Sequence, residues 1–141
     1  MKKAVIIYNS KTGVTRKYAE DIGKYFQSKS IEIQLLSIQE YKEGLVDKAT
    51  YVLLGCWTSG LFVVLQHPQK EWIDFARKLP NMPNTKIALF TTYKFLTGSM
   101  FKNMSRQIAD KYTYSPVEFK SRNGLLSGND KSALDKFIAQ V

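Results

Sequence analysis

Cysteine and histidine are almost missing from this chain of 141 residues: Cys56 and His67 stand alone. A lone cysteine excludes an internal disulfide framework and any multi-cysteine metal site. A lone histidine argues against a His-based metal site or a Ser-His-Asp triad. Long apolar runs are missing too. No stretch reaches the roughly 18 apolar residues of a membrane span. Lys2 and Lys3 before Ala4–Tyr8 resemble the start of a secretion signal, but this apolar run is too short to serve as one. Carboxylates are scarce, with 12 Asp and Glu against 21 Lys and Arg, for a formal net charge of +9. Such an excess first suggests nucleic acid, a membrane surface or an acidic partner. What remains is an ordinary globular balance, 44% hydrophobic and 23% charged. The expectation is one soluble, cytoplasmic domain spanning residues 1–141.

Apolar runs alternate with helical patterns along the whole chain. Ala4-Val5-Ile6-Ile7-Tyr8 is continuous and β-branched, as a strand buried on both faces should be. Tyr18, Ala19, Ile22, Tyr25 and Phe26 then mark one face of a helix. Ile31–Ile38 reads as a second strand, 41–48 as a weak helix broken by Gly44, and Tyr51–Gly55 as a third, buried strand. Cys56–Gln66 reads as a loop. Pro68 opens a helix with Trp72, Ile73, Phe75, Ala76 and Leu79 on its apolar face. Ile87–Thr91 is a fourth strand. Ser99 is a candidate N-cap for a helix carrying Phe101, Met104, Ile108 and Tyr112. Val117–Lys120 is a short fifth strand, and Asn129 caps a last helix with Ala133, Leu134, Phe137, Ile138 and Val141. This alternation predicts an α/β fold, a parallel sheet with helices on both faces. Ligands of such sheets bind beyond the carboxyl ends of the strands. The loops 9–15, 55–67 and 91–99 are therefore the places to search, with 121–128 behind them.

Several chemistries are excluded by what these loops lack. No G-x-G-x-x-G follows the first strand, and there is no G-x-x-x-x-G-K-[ST]. A phospho-accepting receiver would need a carboxylate where the third strand ends in Gly55-Cys56. A cysteine phosphatase would need an arginine shortly after Cys56, and thioredoxin chemistry a second cysteine. The first strand instead runs into Ser10-Lys11-Thr12-Gly13-Val14-Thr15, just before a helix. Hydroxyls, a glycine and free N–H groups at a helix N-terminus suit a phosphate. The same residues also suit a plain turn with Thr12 or Thr15 as N-cap.

The pattern S-x-T-G-x-T at Ser10–Thr15, behind a buried first strand, resembles the phosphate loop of the flavodoxin family. That resemblance implies a three-layer fold with a five-stranded parallel sheet in the order 2-1-3-4-5. It also implies flavin mononucleotide (FMN) as cofactor and electron transfer as activity. Ser10, Thr12 and Thr15, with the N–H groups around Lys11, Gly13 and Val14, would hold the phosphate. The loop Gly55-Cys56-Trp57-Thr58-Ser59-Gly60 would offer Trp57 to one face of the isoalloxazine ring. Thr91-Thr92-Tyr93-Lys94, closed by Gly98, would offer Tyr93 to the other face. Two aromatic planes can hold a flat ring by stacking, each worth about 1 kcal/mol beyond area burial. The partners implied are redox proteins. A rival use of the same site is direct oxidation or reduction of a small molecule, as in flavodoxin-like quinone reductases or protoporphyrinogen oxidases. A flavin-free module for nucleic acid or anions is the third reading, and no recognised nucleic-acid motif supports it.

The charge departs from this usually acidic family. Between Ala76 and Arg122 nine basic residues face two acidic ones, which accounts for +7 of the +9. Lys11, Arg16 and Lys17 add to it, and segments 51–70 and 91–109 hold no carboxylate. A positive rim would favour the anionic reduced flavin and raise its potential, and would suit acidic partners or a small anionic substrate. The pentad Leu61-Phe62-Val63-Val64-Leu65 is unusually apolar for a loop and is expected to be partly buried, with docking as the second role. His67 is expected to cap the following helix, and Cys56 to be a small buried residue.

Overall fold

The computed structural model describes residues 2–58, 66–94 and 97–140. The strands are β1 (Lys3–Asn9), β2 (Glu32–Ser37), β3 (Tyr51–Trp57), β4 (Lys86–Thr92) and β5 (Val117–Ser121). The helices are α1 (Val14–Ser28), α2 (Lys70–Arg77), α3 (Met100–Gln107) and α4 (Gly128–Ala139). All strand pairs are parallel, in the order β2-β1-β3-β4-β5. This is the three-layer α/β arrangement that the alternation of runs predicts.

The strands alternate their side chains between two cores. Val5, Ile7, Val52, Leu54, Cys56, Ile87 and Leu89 point to one face, against Trp72, Phe75 and Ala76 of α2 and Met100 and Met104 of α3. Ala4, Ile6, Tyr51, Leu53, Ala88, Phe90 and Phe119 point to the other, against Tyr18, Ala19, Ile22 and Phe26 of α1 and Leu134 and Phe137 of α4. Both faces are covered, which is why these strands read as unbroken apolar runs. Register sets Gly55 of β3 beside Phe90 of β4. A Cβ at Gly55 would lie 2.0 Å from the Phe90 ring, so the ring occupies the space a side chain would need.

Several local expectations are corrected. β3 continues through Cys56 and Trp57 instead of ending at Gly55, because the ladder to β4 persists as far as Trp57 and Thr92. Pro68 does not open α2; the helix begins at Lys70 with Gln69 as N-cap. His67 is no cap either, since its ring Nδ1 meets the carbonyl of Pro68 (2.9 Å). Residues 43–48 form turns rather than a helix, with Gly44 at φ 93° and i→i+3 bonds at Leu45, Asp47 and Ala49. Ser99 stands at the N-cap of α3 without capping it, its hydroxyl donating instead to the Gln66 carbonyl (3.1 Å). That helix stops at Gln107, so Tyr112 packs from outside it. Ser127, not Asn129, caps α4, and Asp130 completes a capping box. The pentad Leu61–Leu65 lies outside the described residues, as do Ser59, Gly60 and Val141.

Candidate functional site

The carboxyl ends of β1, β3, β4 and β5 bring the motif loops to one edge of the sheet. In the first loop Gly13 is the N-cap of α1 and adopts φ 95°, a left-handed conformation. An added Cβ there would meet nothing, so the demand on this glycine is conformational. Ser10 Oγ accepts from the N–H groups of Gly13 (3.1 Å) and Arg16 (3.3 Å), which leaves its hydroxyl hydrogen to donate elsewhere. Lys11 and Thr12 are exposed, and Val14 is half-buried. Thr15 turns inward: it is buried, and its Oγ1 lies 2.6 Å from Thr92 Oγ1 at the end of β4. Neither Thr12 nor Thr15 is the N-cap. The first turn of α1 carries no acidic residue, so an anion placed at its N–H groups would meet no opposing charge on that turn.

Hydroxyls tie the next loops together. The Thr91 hydroxyl donates to the Cys56 carbonyl (2.7 Å), which leaves it to accept from Thr58 Oγ1 (2.9 Å). Thr58 N–H donates to the Thr92 carbonyl (2.8 Å) and Tyr93 N–H to the Ser121 carbonyl (3.2 Å), carrying the ladder past the strand ends. Trp57 closes β3 half-buried, with Lys11 Nζ 5.2 Å from its ring centroid. Gln69 Nε2 donates a short hydrogen bond to the Trp57 carbonyl, and its Oε1 accepts from Asn9 Nδ2 (3.1 Å). Tyr93 is half-buried and faces two cations, Lys120 Nζ at 5.9 Å and Arg122 Cζ at 5.4 Å from its centroid. Lys94 is exposed, and Gly98 turns at φ 50° before α3. The thiol of Cys56 is fully buried, and burial pushes its pKa up, so it is a core group.

The loop after β5 contributes more than its sequence suggests. Ser121 Oγ accepts from Gly124 N–H (3.0 Å), and Asn123 Oδ1 accepts from Leu125 N–H (2.9 Å). Gly124 sits at φ 80°, so close to α1 that a Cβ would lie 2.8 Å from the Val14 carbonyl. This packing fixes Lys120 and Arg122 beside Tyr93. Asn9, Gln69 and Ser121 were not predicted as site residues. Their common signal is position: each stands within two residues of a strand's carboxyl end or at the helix start facing it.

A 220 Å³ cleft lies elsewhere, at the opposite edge of the sheet, lined by residues such as Asp47, Pro80, Asn84 and Thr85. It offers neither cations nor aromatic planes. Among the described residues no three His, Cys, Asp or Glu side chains come together as a metal site needs. Among the same residues no helix is long and apolar enough to cross a membrane.

A parallel sheet in the order 2-1-3-4-5, with a hydroxyl-rich loop opening its first helix, defines a doubly wound α/β protein of the mononucleotide-binding kind. The flavodoxin family model matches residues 6–135, and the chain belongs to that family. Its fold is similar to oxidised flavodoxin 2 of Bacillus cereus, at 16% identity and TM-score 0.77, with 99% of each chain covered. It is similar as well to the two-electron-reduced flavodoxin of Megasphaera elsdenii, at 19% identity and TM-score 0.74, covering 98% of this chain and 99% of that one. A Fusobacterium nucleatum flavodoxin variant bound to flavin mononucleotide matches at 12% identity and TM-score 0.63, covering 99% and 94%. As a family member the chain is an FMN-binding protein that transfers electrons to redox partners. The residues at the sheet edge fit that cofactor: hydroxyl and N–H donors without a carboxylate for the phosphate, and two part-exposed aromatic planes for the ring.

Proposed function

We propose that FMN is held at this edge by three loops, with Ser10, Thr12 and Thr15 and the N–H groups of 11–15 on the phosphate. Trp57 and Tyr93 flank the ring, and the backbone of 56–58 and 91–94 meets its polar rim. When bound, FMN supplies the redox chemistry, and the protein orients it and sets the surrounding charge. The observation that carries this reading is the Thr15–Thr92 contact, which joins the phosphate loop to the ring-side strand ends across 77 residues of sequence. The chain is one domain over 1–141, acting in the cytoplasm as a carrier. Lys11, Lys94, Lys120 and Arg122 rim the site with positive charge and steer acidic redox proteins.

Titration of the purified protein with FMN, followed by flavin absorbance and tryptophan fluorescence, tests the cofactor site. Saturable binding with quenching that is lost in Trp57→Leu is the expected result. Failure to bind FMN removes the reading. A second use of the site is favoured by the two cations at Tyr93: direct electron exchange with a small anionic molecule. Turnover assays with quinones and porphyrinogens separate an enzyme from a carrier.

A further inference from the structure

We propose that Thr92 is a positioning residue for the phosphate, acting through Thr15. This rests on the phosphate-loop reading and adds a residue from β4, far from that loop in sequence. The two hydroxyls lie 2.6 Å apart and are both buried, so they share one hydrogen between them. Each hydroxyl has one hydrogen and two lone pairs. If Thr15 donates to Thr92, it has nothing left for an anion. If Thr92 donates to Thr15, the Thr15 hydrogen is free and its oxygen is held. A phosphate accepts and does not donate when fully ionised, so its arrival selects the second arrangement: Thr92 to Thr15 to phosphate.

Thr92 is itself fixed. It ends β4 in register with Trp57 and Ser121, and its carbonyl accepts from Thr58 N–H at 2.8 Å. Thr15 stands in the first turn of α1, five residues after Ser10, whose oxygen accepts from two N–H groups and so keeps its own hydrogen for a further acceptor. The loop therefore presents hydroxyl hydrogens whose direction is set by partners behind them. That pre-orientation spares the rotamer ordering that binding otherwise costs.

Riboflavin shares the ring and the ribityl chain and lacks the phosphate, so it isolates the effect. The test measures dissociation constants for FMN and riboflavin on Thr92→Val and Thr92→Ser, with circular dichroism to confirm folding. Thr92→Val keeps the shape and removes the donor. It is expected to weaken FMN about three- to tenfold, as for loss of one oriented hydrogen bond, and to leave riboflavin unchanged. Thr92→Ser restores FMN binding. Equal weakening of both ligands by Thr92→Val, or of neither, overturns the proposal. Thr92→Ala gives the same comparison should valine distort the strand. Wild-type protein with no preference for FMN over riboflavin overturns the phosphate-loop reading itself.

Discussion

Gly55→Ala is a one-methyl change at the centre of the sheet, and its cost follows from the geometry around it. The new Cβ would lie 2.0, 2.3 and 2.4 Å from three atoms of the Phe90 ring. Ordinary carbon contacts begin near 3.5 Å, so the ring must retreat by about 1.5 Å. It has little room. Tyr18 meets it edge-on, with centroids 5.9 Å apart and planes at 78°, and the Tyr18 hydroxyl donates to Asp130 at 2.8 Å. Both rings are fully buried. Overpacking of a tight core costs about 1–3 kcal/mol, and full expulsion of the ring would approach the 3–5 kcal/mol typical of Phe→Ala. The expected loss is about 3 kcal/mol, or a drop in Tm of about 10 °C for a chain of this size. Urea unfolding followed by circular dichroism measures it. The double variant Gly55→Ala/Phe90→Ala is the sharper check, because the methyl then enters the space the ring leaves. There the added cost of the methyl should fall below about 1 kcal/mol, a coupling of about 2 kcal/mol. A single variant within 1 kcal/mol of wild type, or strict additivity in the double, refutes this account of the β3–β4 pair.

Ser10→Ala removes the acceptor of two N–H groups and a donor together, so FMN affinity should fall about tenfold or more while riboflavin changes less. Binding titrations with both ligands read this. Lys120→Glu/Arg122→Glu reverses two charges at Tyr93 and should lower the potential of the fully reduced flavin by about 40 mV per charge unit changed, from roughly 1 kcal/mol each. Potentiometry reads the shift, and an unchanged or raised potential contradicts it. Burial first, and Asp130 second, hold the Tyr18 phenol well above its ordinary value, and burial also raises Tyr51. Folding keeps these protons while the unfolded chain releases them, so stability is full below about pH 10 and declines above it. Urea midpoints from pH 7 to 11 follow that decline. The buried Cys56 thiol should react with a disulfide reagent only as fast as the protein opens, and fast, complete reaction of native protein would contradict its place in the core.

The parallel sheet was legible because burial on both faces leaves no polar alternation to confuse the pattern. Val52-Leu53-Leu54 and Ile87-Ala88-Leu89-Phe90 could hardly be anything else. The face of α1 was legible for the converse reason, since Tyr18, Ala19, Ile22 and Phe26 repeat at helical spacing and all four are buried. The loop at Ser10–Thr15 was legible as a cluster of hydroxyls, though not which way each one turns. Thr15 faces Thr92, and only the register of β4 beside β3 and the packing of α1 on the sheet decide that. Gln69 and Ser121 were hidden because their roles come from partners 12 to 60 residues away, or from one carbonyl beyond a strand end. The start of α2 was misjudged because Pro68 carries a helix-start signal, and the end of α3 because Tyr112 continues the apolar stripe beyond Gln107; Ser99 does stand at the N-cap of α3, but its hydroxyl goes to Gln66.

The ladder that continues past the strands, through Thr58 to Thr92 and Tyr93 to Ser121, bears on the rate at which charge can move. An electron passes readily only where the atoms around its origin and destination hardly rearrange. Loops at a sheet edge are usually the softest part of a fold. Here the aromatic residues Trp57 and Tyr93 are flanked by backbone bonds to the neighbouring strand, and Gln69 grips the first from behind. With a redox centre held beside it, a frame so braced would keep its dipoles in place in either oxidation state. The sheet would then act as a stiff bed, and little energy would go into reorienting the surroundings at each transfer.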